Sequence, residues 1–161
     1  MARPRTYDNG SWHRGNGFPD DYDAIHIALF VKWCFSKGWA EEEFWADCAA
    51  EIGKLLSGEM SAVEFFESQC DDKFFPEMLS EEGNRFVETY YNDTYIDDFL
   101  KIEREADSPA DISPDTDLEH IPFASEEAMD FDKFSELLDR RLAEFEAAEA
   151  ERKNRPWYKF W

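Results

Sequence analysis

Apolar residues recur at helical spacing through most of the chain and predict five helices. The first predicted helix is capped by Asp20 or Asp21 and ends near Lys37. Gly38 follows it, and glycine favours the left-handed conformation that often ends a helix. Because the apolar positions of this helix cover nearly its whole circumference, we expect it to be the central element, surrounded by the others.

The second and third predicted helices each have a recognisable start. The second spans about 41–57, and three glutamates in its first turn complement the helix dipole. Apolar residues at steps of three and four predict one buried face, formed by Phe44, Trp45, Cys48, Ala49, Ile52, Leu55 and Leu56. Ser61 and Glu64 form a capping box that begins the third helix, which ends near Cys70.

Two longer helices complete the pattern. The fourth spans about 81–104 and has a buried stripe of Val87, Tyr91, Tyr95, Phe99 and Ile102. We interpret Tyr91 and Tyr95 as core residues, and a role as aromatic anchors for a partner is the alternative. The last helix spans about 125–152, and its stripe consists of Met129, Phe131, Phe134, Leu138, Leu142 and Phe145.

Acidic residues mark the side of the fourth helix that faces away from its stripe. Asp93, Asp97 and Asp98 are predicted to lie on this side, and Glu103 lies near the end of the helix. Residues 105–122 then lose helical periodicity and contain three prolines among several carboxylates. They predict a long acidic loop before the last helix.

These elements predict an all-α fold, since no alternating strand of useful length is present. We expect a compact bundle of about five helices in a single domain, residues 1–161. Residues 1–20 are rich in turn formers and predict an ordered N-terminal loop or short hairpin, packed on the body. Residues 154–161 form an aromatic tail, which we expect to dock on the body or on a partner because exposed aromatics lower solubility.

Composition adds a strong negative charge to this picture. The chain has 38 acidic and 17 basic residues, a formal net charge of −21. Residues 41–140 contain 30 of the acidic residues and seven of the basic ones, so the charge belongs to the middle of the chain. Such a surface repels phosphates and argues against a free-standing nucleic-acid binder. A basic protein is the natural partner.

The sequence also predicts a cytoplasmic location. The N-terminal residues turn polar where a signal peptide needs an apolar stretch, and no apolar run is long enough to span a bilayer. The three cysteines, Cys34, Cys48 and Cys70, form no Cys-x-x-Cys pair and lie among apolar neighbours. We interpret them as buried thiols, with a redox or zinc role as the alternative.

No pattern in the sequence points to catalysis. The histidines, His13, His26 and His120, lack metal-site spacing, and we interpret His26 as a core histidine rather than a ligand. The carboxylates from Asp111 to Glu119 lack the glycine of a calcium loop. A nucleophile elbow and a phosphate loop are both missing. We expect no enzyme, no cofactor and no metal site, with a carboxylate hydrolase using a divalent ion as a weaker hypothesis.

Many residues along the chain match a known pattern. They are Tyr7, Asp8, Ser11, Trp12, His13, Gly15, Phe18, Pro19, His26, Ile27, Phe30, Glu64, Phe65, Phe66, Asn84, Phe86, Tyr90, Tyr91, Tyr95, Asp98, Asp139, Arg140, Arg141, Pro156, Trp157, Tyr158, Lys159, Phe160 and Trp161. Together they resemble an uncharacterised family of short acidic bacterial proteins, with weaker likeness in 105–122 and 143–152. The resemblance implies a helical fold. Some members resemble immunity proteins encoded beside polymorphic or secreted toxins, which implies the same role here.

The charge, the missing catalytic motifs and the resemblance together predict an immunity protein. It is expected to bind a cognate cytoplasm-acting toxin with a basic active-site surface and to occlude that site, with no nucleic-acid or membrane partner. The expected contact residues are Asp93, Asp97, Asp98, Glu103, Asp107, Asp111, Asp115 and Asp117. The alternative is a non-enzymatic adaptor or regulator that docks through its aromatic tail or its N-terminal loop.

Overall fold

A computed structural model describes residues 6–10, 24–106, 126 and 129–155 of the chain. Its helices are α1 Ile25–Ser36, α2 Glu42–Ser57, α3 Ala62–Cys70, α4 Glu81–Tyr90, α5 Ile96–Ala106 and α6 Phe131–Asn154. A π-helical turn, Tyr91–Tyr95, joins α4 to α5, so these two form one continuous helix. The part of the chain that is described therefore has five helical units, and the all-α prediction is confirmed.

Helix α1 is the central element, as its apolar circumference predicted. Ten of its 12 residues are buried. The Phe30 ring lies 4.7 Å from the ring of Tyr95 and 4.9 Å from that of Tyr91. The Trp33 ring lies 5.5 Å from that of Phe86. Aromatic pairs at these distances stabilise a core beyond the area that they bury.

The ends of the helices agree in part with the local signals. Glu41 and Ser61 cap α2 and α3 through side-chain hydrogen bonds to backbone amides. Gly58 ends α2 in the left-handed conformation, with φ at 86°. The first helix, however, begins at Ile25 with Ala24 at its N-cap, rather than after Asp20 or Asp21.

The predicted buried face of α2 is only partly correct. Cys48, Ile52 and Leu55 are buried, whereas Ala49 is exposed and Trp45 and Leu56 are among the exposed large apolar residues. The helix lies at the outside of the bundle and contacts α1 and α3 from one side. It also bends at Cys48, whose φ and ψ are −137° and 33°. Contact with α1 and α3 on one side of α2 buries Cys48, Ile52 and Leu55, and the residues on the other sides of the helix remain in solvent.

A short two-stranded antiparallel sheet joins the N-terminal segment to the bundle. Strand β1, Asp8–Asn9, pairs antiparallel with β2, Lys73–Phe74, and the Tyr7 amide donates to the Phe74 carbonyl at 2.7 Å. A loop or a short hairpin within residues 1–20 was predicted, but not a pairing with Lys73–Phe74, because strands of two residues show no alternation. A 3₁₀ turn, Pro76–Met78, follows β2 and leads to α4.

Helix α6 packs along the side of α1. Its first residue is Phe131 rather than Ser125, and Asp130 caps it. Phe134 and Leu138 are buried. Asp139 accepts a hydrogen bond from the Trp33 indole at 3.1 Å and forms an ion pair with Lys37, which fastens the end of α1 to α6.

All three cysteines are free and buried, as the buried-thiol interpretation predicted. Burial raises the pKa of each thiol. For Cys48 the pKa reaches about 11, because the carboxylates of Glu51 and Asp47 add to the effect of burial. These thiols are therefore protonated and weakly nucleophilic at neutral pH.

Two helical glycines provide a matched test of packing. A Cβ at Gly53 in α2 would have no atom of the described residues within 4 Å, whereas a Cβ at Gly83 in α4 would lie 3.1 Å from Cβ of the buried Trp39. Gly53→Ala is expected to stabilise the protein by about 0.5–1 kcal/mol, since alanine is the better helix former. Gly83→Ala is expected to destabilise it by about 1–2 kcal/mol through overpacking. Urea unfolding of both variants checks this pair, and stabilisation by Gly83→Ala would contradict the packing at Trp39.

Candidate functional site

The candidate contact surface lies on the outer side of the long helix formed by α4, the π turn and α5. Asp93 belongs to the π turn and Asp97 to the first turn of α5, and both side chains are exposed. Tyr91 and Tyr95 point the other way and are buried, as core residues. Within the described part of the chain, neither Asp93 nor Asp97 forms an ion pair, so both carboxylates are free to meet a cation.

Asp98 does not belong to this surface, which corrects the prediction for that residue. Its side chain is buried, and the residue is only 1% exposed. Arg141 of α6 donates to both carboxylate oxygens, from Nε at 2.8 Å and from Nη2 at 2.9 Å. The Tyr90 hydroxyl donates to Oδ2 at 2.6 Å. With these partners inside the fold, Asp98 has no accessible oxygen for a partner protein.

The charge state of Asp98 follows from these contacts. Burial alone would raise the pKa of this carboxyl, but the hydrogen bonds from Arg141 and Tyr90 outweigh it and bring the pKa below its usual value. Burial and the hydrogen bond to Asp98 raise the pKa of Tyr90. Asp98 is therefore ionised at neutral pH and joins α5 to α6.

A sequence signal for this burial exists. Asp98 lies three residues after Tyr95 and four before Ile102, which is the spacing of the buried stripe itself. The π turn also adds one residue to the helix, which rotates every later position relative to α4. An aspartate on an apolar stripe predicts a buried ion pair, but the sequence does not say which basic residue provides it.

The other predicted contact residues continue along the same part of the chain. Glu103 lies in α5, two turns after Asp97. Asp107, Asp111, Asp115 and Asp117 lie outside the described residues, as do residues 107–122 of the predicted acidic loop, residues 11–20 and the aromatic tail after Arg155. Residues 105 and 106 of that predicted loop belong instead to the end of α5. The adaptor alternative, which depends on that tail or on the N-terminal loop, concerns those segments.

Exposed acidic residues are not confined to this helix. Residues 41–100 contain 17 acidic residues and three basic ones. The exposed acidic residues in this range are Glu42, Glu43, Asp47, Glu59, Glu64, Glu67, Asp71, Glu77, Glu81, Glu82, Glu88, Asp93 and Asp97. Charges of one sign at this density produce a field that extends beyond the surface and attracts cationic proteins.

A second polar cluster, which no local sequence pattern indicates, lies between β1, α1 and the π turn. The Tyr91 hydroxyl donates to Oδ2 of Asp8 at 2.8 Å, and His26 Nε2 lies 3.5 Å from the same oxygen. The Tyr95 hydroxyl donates to the His26 carbonyl. His26 is buried, as the core-histidine interpretation predicted. These residues line a recess of about 330 Å³ together with Tyr7, Asn92 and Ile96.

The chemistry of this cluster is that of a structural network. Burial raises the pKa of both Tyr91 and Tyr95, and the Asp8 carboxylate raises that of Tyr91 further, so both hydroxyls remain donors at physiological pH. Asp8 also accepts a bond from the Asn9 amide at 2.8 Å, and Tyr7 donates to Asn84 at 2.7 Å. The pairing of Asp8 with Tyr91 spans 83 residues, which no local pattern could reveal.

Two further features of the described residues bear on the site. No group of three or more His, Cys, Asp or Glu side chains is arranged to hold a metal ion within 6–10, 24–106, 126 and 129–155. Over the same ranges, no helix is both long enough and apolar enough to cross a membrane.

Comparison with known protein families shows which family this chain belongs to. The profile of a domain of unknown function, DUF7832, matches residues 6–113. The chain belongs to this family. The DUF7832 match includes the two-stranded sheet, α1 to α5 and the recess, and it ends before α6. It also ends before the C-terminal motifs of the resemblance. No curated protein and no solved structure matches the chain.

Proposed function

We propose that this DUF7832 protein is an immunity protein that binds a cognate toxin acting in the cytoplasm. It acts by binding alone and occludes a basic active-site surface of the toxin. The observation that carries the proposal is the exposed acidic surface, which contains 13 exposed carboxylates between residues 41 and 100. Toxins that act on nucleic acids need cationic grooves, and an acidic protein is complementary to such a groove.

The contact surface in this proposal begins at Asp93 and Asp97. Both carboxylates are exposed on one long helix, which fixes their positions before a partner arrives. Glu103, Asp107, Asp111, Asp115 and Asp117 continue the acidic sequence and complete the proposed surface. Asp98 contributes indirectly, because its ion pair with Arg141 holds α5 on the bundle.

The size of the net negative charge supports a role for it beyond solubility. A net charge of about 2–8 suffices to keep a small domain soluble. The chain carries −21, and the mutual repulsion of these charges opposes folding. A field of this strength raises association rates with a basic partner toward about 10⁸–10⁹ M⁻¹s⁻¹ at low salt. Fast capture is the property that an immunity protein needs, since the toxin must be bound before it acts.

Co-expression tests the proposal. The product of the gene next to the one that encodes this protein is expressed in bacteria with and without this protein, and growth and co-purification are measured. Protection from growth arrest and recovery of a complex are expected. A variant of this protein that cannot fold is co-expressed as the control, because it imposes the same burden of protein synthesis on the cells without binding the toxin. If the cells are not protected and no complex is recovered, the proposal is wrong.

A further inference from the structure

The outer face of α2 is apolar although it lies in solvent. Trp45 is 43% exposed and Leu56 is 39% exposed, and both are on this helix. Small residues are exposed between them, namely Ala46, Ala49, Ala50 and Gly53. The exposed charged residues of the same stretch, Asp47 and Lys54, lie on the opposite side of the helix from Trp45 by its 3.6-residue period. From Trp45 to Leu56 this face extends over about three helical turns, or roughly 16 Å. Such a face is uncommon on a protein so rich in charge, and tryptophan is enriched among the residues that dominate binding interfaces.

Gly53 provides an independent reason to expect a partner at this face. Glycine inside an exposed helix costs about 1 kcal/mol relative to alanine. Among the described residues, no atom lies within 4 Å of a Cβ at this position, so none of their side chains requires a glycine here. A glycine next to Ala49 and Ala50 allows another backbone to approach α2 closely. Close approach of a partner backbone to α2 would explain why glycine is present at position 53 despite its cost in helix stability.

The charges around this face indicate what approaches it. Glu42, Glu43 and Asp47 are exposed in the first two turns of α2, and Lys54 is the one basic residue of the helix. A partner segment with an apolar centre and basic edges satisfies both features. A second copy of the chain would bring two net charges of −21 together, and anionic membranes and nucleic acids would be repelled.

We propose that the outer face of α2 is a docking surface for an amphipathic, basic segment of a partner protein. Trp45 inserts between apolar side chains of that segment, and Gly53 with Ala49 allows the two backbones to pack closely. Glu42, Glu43 and Asp47 pair with lysines or arginines at the edge of the segment. This surface is separate from the one that begins at Asp93, and the proposal does not depend on the immunity role.

A synthetic probe tests this surface without knowledge of the natural partner. The probe is a labelled 18-residue helical peptide with leucines on one face and lysines on the other, and its binding to the full chain is followed by fluorescence anisotropy. A scrambled peptide of the same composition is the first control. We expect the amphipathic peptide to bind at least tenfold more tightly than the scrambled one, because the apolar face adds to the charge attraction.

Variants then locate the bound peptide. Trp45→Ala and Gly53→Gln are each expected to weaken binding at least tenfold, with thermal unfolding confirming that the variants fold. Ile96→Ala is the matched control, because Ile96 is 42% exposed on a different helix, and its effect is expected to stay below twofold. Equal binding of both peptides, or binding that does not respond to Trp45 and Gly53, would overturn the proposal.

Two measurements decide between this partner and other occupants of the face. Sedimentation of the protein alone is expected to show a monomer, and a dimer that dissociates on Trp45→Arg would show that a second copy occupies α2. Deletion of residues 156–161 is expected to leave peptide binding unchanged. A tenfold gain in peptide affinity after the deletion would show that the chain's own tail covers the face and would overturn the proposal.

Discussion

Arg141→Met is expected to destabilise the protein by about 3–5 kcal/mol at neutral pH, the usual cost of removing one partner from a buried ion pair. Asp98 is 1% exposed, and Arg141 provides two of its three hydrogen bonds. Without the guanidinium, an ionised carboxylate remains buried with only the Tyr90 hydroxyl to stabilise it. Methionine keeps most of the side-chain volume, so the loss reflects the charge rather than a cavity.

Arg140→Met is the matched control for this prediction. Arg140 is the exposed neighbour on the same helix, and its replacement removes the same charge. Urea unfolding of the wild type and both variants gives the free energies of unfolding. The control is expected to change stability by less than about 0.5 kcal/mol, as exposed substitutions usually do. Equal destabilisation by the two variants would show that the ion pair with Asp98 contributes nothing specific.

The same pair predicts a pH dependence. In the wild type the folded-state pKa of Asp98 lies below its unfolded value, so the ion pair stabilises the fold above the unfolded pKa and this stabilisation is lost as the pH falls. In Arg141→Met, only the hydrogen bond from Tyr90 and the charge of Lys101 still oppose the effect of burial on the pKa of Asp98, so the carboxyl gains a proton at a higher pH than in the wild type. The difference in stability between the two proteins is therefore expected to narrow as the pH falls from 7 toward about 4.

Reversing the charge at Asp93 and Asp97 is expected to weaken binding of the cognate toxin about 100-fold or more. Both carboxylates are exposed and free of ion pairs in the described part of the chain. The double variant Asp93→Lys and Asp97→Lys removes two attractive contacts and places like charges against a basic surface, which costs several kcal/mol. Neither residue packs in the core, so the variant is expected to fold. Calorimetric titration of the toxin with each protein measures the effect.

A second double variant separates local contact from the overall field. Glu67→Lys and Glu77→Lys change the net charge by the same amount, at exposed positions on α3 and on the 3₁₀ turn. This control is expected to slow association a few-fold and to leave the dissociation rate unchanged. If both double variants weaken binding equally, the contact surface is not at Asp93 and Asp97, although an electrostatic partner would still be supported.

The local parts of this fold could be predicted from the sequence. The caps at Glu41 and Ser61 and the terminating Gly58 are determined by neighbouring residues, so α2 and α3 begin and end close to where they were expected. The burial of α1 could also be predicted, because a helix that is apolar around its whole circumference is buried by its neighbours. Periodicity alone, however, does not show how far neighbouring helices extend. The exposed Trp45 was therefore placed wrongly on a buried face.

The interactions between distant segments could not be predicted. Asp98 and Arg141 are 43 residues apart, and Asp8 and Tyr91 are 83 apart, so no local pattern links either pair. Asp98 was wrongly expected on the outer side, although its spacing from Tyr95 and Ile102 is that of the buried stripe. The sequence does not show that Arg141 is its partner. The exposure of Asp93 and Asp97 was predicted correctly, because their positions on the helix follow from the neighbouring buried residues Tyr91 and Tyr95.

The most direct test of the electrostatic claim is the association rate between this protein and its cognate toxin as a function of salt. Stopped-flow measurements from about 50 to 500 mM salt span the range over which screening of exposed charges becomes nearly complete. The rate constant is expected to fall by at least tenfold across this range, and the fall should be smaller for Asp93→Lys with Asp97→Lys. A rate that is independent of salt would contradict the claim that the acidic surface attracts the toxin.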